Sequence, residues 1–452
     1  MQSDRHYLTE GPIWKAMLLF ALPVFLGNVF QQLYNTFDTW CVGYFINDDA
    51  LAAVSSSGSL IFMMVSFFQG LSLGAGVIIA KCFGAKQIDS MRKAIHTAIA
   101  FGIITGVVLT LVGVVITPTI LGWMGTPSEV LPQSISYFRY YFMGAIFIVM
   151  YNIFVGILHA VGDSKHPLYY LIISTFVNIG LDVLFVGGFG WGVGSAAVAT
   201  TISQGLSALL CFIHLLRIDA PYRVVIKEIS IDKKSLWDII KYGLPSGVQN
   251  SVIAFANVVV QSNINSFGKA AMAGCGAYSK LEGFVFLPVT CFTQALTTFV
   301  GQNLGARHHD RVKKGVGFGI ACSCLTAELI GVISYIFAPS LIGFFNKTPE
   351  AINFGVQHMR TICLFYCLLA FAHCIAGIMR GAGKATVPMF IMLICWCIIR
   401  VSYITVALNF RNELTTVSVA YPITWLLSSI IFLIYFLKAD WINNFERNQK
   451  KA

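Results

Sequence analysis

Charge is what this 452-residue sequence has least of: Asp, Glu, Lys and Arg make up 11% of it, against 57% hydrophobic residues. With a mean hydropathy of +0.75, it cannot supply the polar surface of a soluble globular domain. The 12 Cys contain no CxxC pair. Most sit in apolar runs (Cys363, Cys367, Cys374, Cys395, Cys397), so they are expected to be small buried residues rather than zinc or redox ligands. A phosphate loop is also missing. GAGKAT (381–386) lacks the glycine spacing and has Ala385 where Ser or Thr should follow Lys384, which leaves an ion gradient or a partner as the energy source. His308 and His309 sit in a basic inner loop, and no metal is expected there.

What the sequence does have is long runs with no charge or almost none. Twelve are long enough to cross a bilayer: 16–38, 51–79, 94–117, 135–158, 167–187, 193–216, 236–265, 271–300, 315–338, 353–378, 387–408 and 415–437. The first is too long for a signal-peptide core and is expected to remain as a helix. The net charge of +10 does not call for nucleic acid. With the N-terminus inside, 23 of the 30 Lys and Arg fall in inner segments, and only Lys269, Lys347 and Arg411 in outer loops. This asymmetry predicts a multi-pass protein with both termini cytoplasmic.

Shifted by 221 or 222 residues, the chain resembles itself. LFALPVFLGN (19–28) pairs with KYGLPSGVQN (241–250), FGAK (83–86) with LGAR (304–307), and GILHAVGDSKHP (156–167) with GIMRGAGKATVP (377–388). The expected fold class is therefore all-α and membrane-embedded, with two pseudo-symmetric six-helix bundles, 1–216 and 236–452, joined by a basic linker, 217–235. An even helix number orients both halves alike, a plan that suits alternating access. GLSLG (70–74) and GIITG (102–106) read as close helix packing.

Acids at membrane depth are costly, and Asp38 stands alone in a charge-free run from Ala16 to Ile46. Asp182 follows Asn178 by four residues and shares its helical face. Thr200 and Thr201 add hydroxyls. Two carboxylates, an amide and a hydroxyl form an all-oxygen set for a proton, or for Na+ held by Asp38, Asn178 and Asp182. Pro23 offers a kink point. In the second half Glu282 and Arg400 are expected to pair, with His373 and Glu328 nearby in sequence. Gln32, Tyr34, Met64 and Asn152, with Glu282, His373 and Arg400, are the candidate lining of a substrate cavity. His159 and His166 flank Asp163 in a short inner loop, read as solvated rather than catalytic.

In this order, LPVFLGNVFQQLYNTFDTWCVGYF, ALAAVSSSGSL, GLSLGAGVIIAKCFGAK, GILHAVGDSKHP, NIGLD and VGQNLGAR resemble the multidrug and toxic compound extrusion (MATE) family from about residue 11 to 437. The resemblance implies a V of two bundles around a central cavity. It also implies export of organic cations and amphiphilic drugs by antiport with H+ or Na+, with no enzyme activity and no cofactor. It carries Asp38, Asn178, Asp182 and Thr200 over as the cation site. Another branch of the family places acids on the seventh and tenth of these twelve runs, whereas here there is only Asp238 at the inner end of 236–265, and His373 in 353–378. That departure points to coupling in the first half. The expected setting is a bacterial inner membrane, as a monomer with small-molecule partners. The alternative is a flippase for a lipid-linked sugar, which should need a cationic cavity.

Overall fold

The computed structural model describes residues 8–46, 48–123, 128 and 130–442, so the two chain ends expected in the cytoplasm lie outside the described residues. Seven helices form the first half: α1 (Ile13–Phe45), α2 (Asp48–Gly84), α3 (Ile88–Trp123), α4 (Leu131–Met143), α5 (Ala145–Ala160), α6 (Lys165–Asp182) and α7 (Gly194–Arg217). Eight form the second: α8 (Lys233–Asn265), α9 (Lys269–Gly305), α10 (His309–Phe345), α11 (Pro349–Ile362), α12 (Tyr366–Gly381), α13 (Thr386–Met392), α14 (Arg400–Phe410) and α15 (Leu414–Lys438). No strand occurs among the described residues.

Ten described helical segments are long and apolar enough to span a membrane, and an eleventh if α4 and α5, bent by 46°, count as one. The twelfth expected span is α8. It is helical over 33 residues, but Ser246, Gln249, Asn250, Ser251, Asn257, Gln261 and Asn263 make it too polar to qualify by composition. The bend between α4 and α5 falls at Gly144, where a Cβ would strike Thr201 of α7. Close approach of α7 thus takes the place of a straight helix over 135–158.

The repeat appears in the helix ends. Lys86 and Arg307 both adopt left-handed backbone (φ 56° and 59°), ending α2 and α9. Gly162 and Gly383 do the same after α5 and α12 (φ 90° and 74°), at no steric cost because neither has a Cβ. The next amide returns to the fifth carbonyl back each time, Asp163 N–H to Leu158 O at 2.9 Å and Lys384 N–H to Met379 O at 2.8 Å, the bond that closes a Schellman turn.

Packing divides the chain into two compact units. One is Leu26–Gly247 and the other is Met1–Phe25 with Val248–Ala452. The divisions fall at equivalent points of the repeat, inside α1 and α8 and just past Pro23 and Pro245, rather than in the linker. In the first unit α2 meets the start of α8 through glycines: a Cβ on Gly70 would collide with the backbone of Gly247, and one on Gly74 with that of Gly243. The close packing expected of GLSLG is thus a backbone-to-backbone crossing. The glycines of GIITG lie against Ile153 and Ile146 of α5. In the second unit Met17, Phe20 and Val24 of α1 pack with Leu296, Phe299 and Val316. Arg311 holds the segment before α1, donating to the carbonyls of Leu8, Glu10 and Gly11. Val115, Leu325, Leu329 and Phe344 are exposed, as befits a hydrocarbon-facing surface.

The linker is docked rather than loose. Val225 N–H donates to His96 Nε2 at 3.0 Å, which leaves Nδ1–H to donate to the Arg92 carbonyl at 2.8 Å. Thr97 accepts from Asp232 N–H at 3.0 Å and donates to Ser230 O. Tyr222 and Val224 are buried beside them.

Candidate functional site

In the first unit, helix spacing brings the predicted polar residues into the protein interior. Asn178 and Asp182 are fully enclosed, and Asp38, Thr200 and Tyr34 are 7%, 6% and 5% exposed. Asp38 and Asp182 are close enough for their charges to act on each other, and both act on Tyr34 and Tyr137. Thr200 approaches the Tyr34 hydroxyl without reaching hydrogen-bond geometry. Asp182 ends α6 where the helix widens into a π-helical turn, Val183–Gly188, a distortion common at functional sites.

A set of buried polar atoms in this cluster has no partner among the described residues. These are Asp38 Oδ1, both Asp182 carboxylate oxygens, both polar atoms of Asn178, the Thr200 hydroxyl and the Tyr34 hydroxyl. Unpaired buried polar atoms are rare and point to a bound water or ion. The described basic side chains make no ion pair with Asp38 or Asp182. Thr201 does not join the set: its hydroxyl turns toward the Tyr140 carbonyl, 3.4 Å away.

Sequence reasoning missed how far the polar seam runs. Ser174, Asn178 and Asp182 recur every four residues on α6, and Ser207, Ser203 and Thr200 are buried on α7. Ser207 donates to Ser174 at 2.6 Å, fixing the register of the two helices, while the Ser203 hydroxyl is buried and unpaired. Four-residue spacing was the available signal, but serine in a membrane helix also reads as a small packing residue.

The candidate cavity residues divide between the units. In the first, Asn152 spends its amide N–H on the Ile148 carbonyl at 2.8 Å, Met64 packs on apolar clusters, and Gln32 is half-buried. Tyr34 belongs to the acid cluster. In the second unit, the expected contact pair of Glu282 and Arg400 does not form. Glu282 accepts from Tyr278 at 3.2 Å. Arg400 donates twice to Thr424 (3.1 and 2.9 Å) and lies 4.4 Å over the Tyr421 ring. The two charges still act on each other at longer range. Spacing places both on inward faces but does not fix their separation along the membrane, and a hydroxyl and a ring nearer to the guanidinium take its contacts. His373 packs edge-on against Phe286 and Trp396. Glu328 accepts from Cys367 N–H at 3.1 Å, satisfying the backbone where α11 breaks into α12. Sequence reasoning also missed His358, buried beside Tyr278, with its Nδ1 2.6 Å from Ser418.

A family model described as MatE matches residues 23–184 and again 245–406. Its two starts, Pro23 and Pro245, are the prolines paired by the repeat. Among curated relatives, the Bacillus subtilis protein named "Probable multidrug resistance protein YoeA" is 29% identical over 95% of this chain and 94% of its own length. The Thermotoga maritima "Probable multidrug resistance protein NorM" is 26% identical over 95% and 93%. Among solved structures, an outward-facing multidrug resistance MATE family transporter of the MOP superfamily superposes with a TM-score of 0.91 at 21% identity, covering 99% of this chain and all of that one. A MOP superfamily transporter from Pyrococcus furiosus does so with 0.90 at 22%, covering 99% of each.

Proposed function

The chain belongs to the MatE family of multi-pass membrane transporters, and on that premise we propose that it exports organic cations and amphiphilic drugs in exchange for H+ or Na+. Its named relatives are multidrug resistance proteins, which favours drug export over flipping of a lipid-linked sugar. The observation that carries the coupling assignment is the pair Asp38 and Asp182, enclosed together with carboxylate oxygens that have no partner among the described residues.

Two buried carboxylates without a counter-charge are too costly to stay ionised together. A proton on one of them, or Na+ among Asp38, Asn178, Asp182 and Thr200, removes that cost. The neutralised and the charged site then favour different packings of the helices that carry them, which is how an ion biases a two-state element. The transporter needs no cofactor, works as a monomer in a bacterial plasma membrane, and keeps both termini in the cytoplasm. Gln32, Tyr34, Met64, Asn152, Glu282, His373 and Arg400 remain the proposed substrate-lining residues.

Efflux of a fluorescent cationic dye from energised cells tests the assignment. Asp38→Asn and Asp182→Asn should each abolish efflux at unchanged membrane abundance; wild-type efflux by either variant would remove that residue from coupling.

A further inference from the structure

The first unit holds one set of ligating side chains that the coupling site does not use. Asp163 follows the left-handed Gly162, His166 lies in the first turn of α6, and His214 in the last turn of α7. His166 Nδ1 lies 2.6 Å and His214 Nε2 3.7 Å from the same atom, Asp163 Oδ2, and the two imidazoles stack with centroids 4.1 Å apart. One ligand atom from each residue falls within 4.8 Å of the others. The second carboxylate oxygen accepts from His166 N–H at 3.2 Å, which orients the group. His214 Nε2 is enclosed and has no hydrogen-bond partner.

Helix capping alone does not account for the cluster. The repeat places Lys384 and Val387 where Asp163 and His166 stand, and α13 starts there without a carboxylate. The fold therefore forms this turn without Asp163 and His166.

We propose that Asp163, His166 and His214 form a site for a divalent transition metal ion of the zinc type, bound through Oδ2, Nδ1 and Nε2. Two imidazoles and one carboxylate suit Zn2+, Co2+ or Ni2+, whereas Mg2+ and Ca2+ prefer oxygen alone. Tetrahedral zinc with bonds near 2.1 Å sets its ligand atoms about 3.4 Å apart, so the 2.6 and 3.7 Å spacings from Asp163 Oδ2 need shifts of under about 1 Å. His166 is 43% exposed, which gives the ion an entry path and leaves a position for water. The metal fastens the start of α6 to the end of α7, the two helices that carry Asn178, Asp182 and Thr200.

Purified, tag-free protein titrated with CoCl2 provides the direct test, with ZnCl2 then used to displace the cobalt. Wild type should develop visible d–d absorption that Zn2+ abolishes, and Zn2+ should raise its unfolding midpoint. Because outer-shell changes alone cost about 10- to 100-fold in metal affinity, loss of a ligand in His214→Ala or His166→Ala should weaken binding at least that much. The half-exposed His166 serves if His214→Ala fails to fold. His308→Ala with His309→Ala should leave binding intact. No cobalt spectrum in the wild type, a spectrum undiminished in both ligand variants, or one lost only with His308 and His309 would each overturn the assignment.

Discussion

Asp182 and its amide analogue differ by little in shape and by a full charge, which separates the cost of the site from its use. Both carboxylate oxygens are enclosed and have no partner among the described residues, so Asp182→Asn, which keeps the shape and removes the buried charge, should unfold in detergent at the same temperature as wild type or higher. It should do so while efflux is lost. If Na+ is the coupling ion, adding it should raise the midpoint of wild type and not of the variant. A clear drop in the variant's midpoint would make Asp182 a structural residue instead. Charge scarcity made Asp38 and Asp182 legible in the sequence, because each acid at membrane depth demands a reason. Ser174, Ser203 and Ser207 stayed hidden because hydroxyls are cheap in helices. The separation of Arg400 from Glu282 depends on where each stands along its helix, which composition does not encode.

At the scale of elements, two local devices carry measurable consequences. The crossing of α2 and α8 leaves no room for a methyl group between backbones, so Gly74→Ala should destabilise the first unit by about 1–3 kcal/mol through overpacking, read as a lower unfolding midpoint. Wild-type stability would show that the crossing can open freely. Just before α8, Asp232 accepts from the Ser235 amide and hydroxyl, both at 2.8 Å. The backbone bond comes first, then the hydroxyl, in holding its carboxyl below the usual range. A depressed folded-state value means that the stabilisation is present above the unfolded pKa, about 3.9, and fades as pH falls through the folded one. Asp232→Ala should therefore cost about 1 kcal/mol at neutral pH and show less further loss in acid than wild type. An equal acid sensitivity of the two proteins would contradict the assignment. Helix existence was readable from apolar runs, but the break at Gly144 was not. It comes from Thr201, 57 positions on in sequence, and no local pattern announces it.

For the whole molecule, the repeat is the organising fact. It was visible as paired motifs 221 or 222 residues apart, it recurs as identical left-handed helix ends at Lys86 and Arg307 and at Gly162 and Gly383, and the family model starts at both paired prolines. What the repeat did not disclose is where packing divides the chain, because the assignment of each end of α1 and α8 to a unit depends on contacts such as Gly70 with Gly247. Against this symmetry the pair Asp38 and Asp182 is one-sided. Asn178 is matched by Arg400 and Asp182 by Ile404, so the ion coupling proposed above is assigned to the first unit alone. Proteoliposomes measure that claim most directly: add a transported cationic dye on one side and record whether it drives H+ or Na+ the other way, in wild type and in Asp38→Asn. The account predicts dye-driven counterflow of one of these ions in wild type and none in the variant; counterflow that survives Asp38→Asn would contradict it.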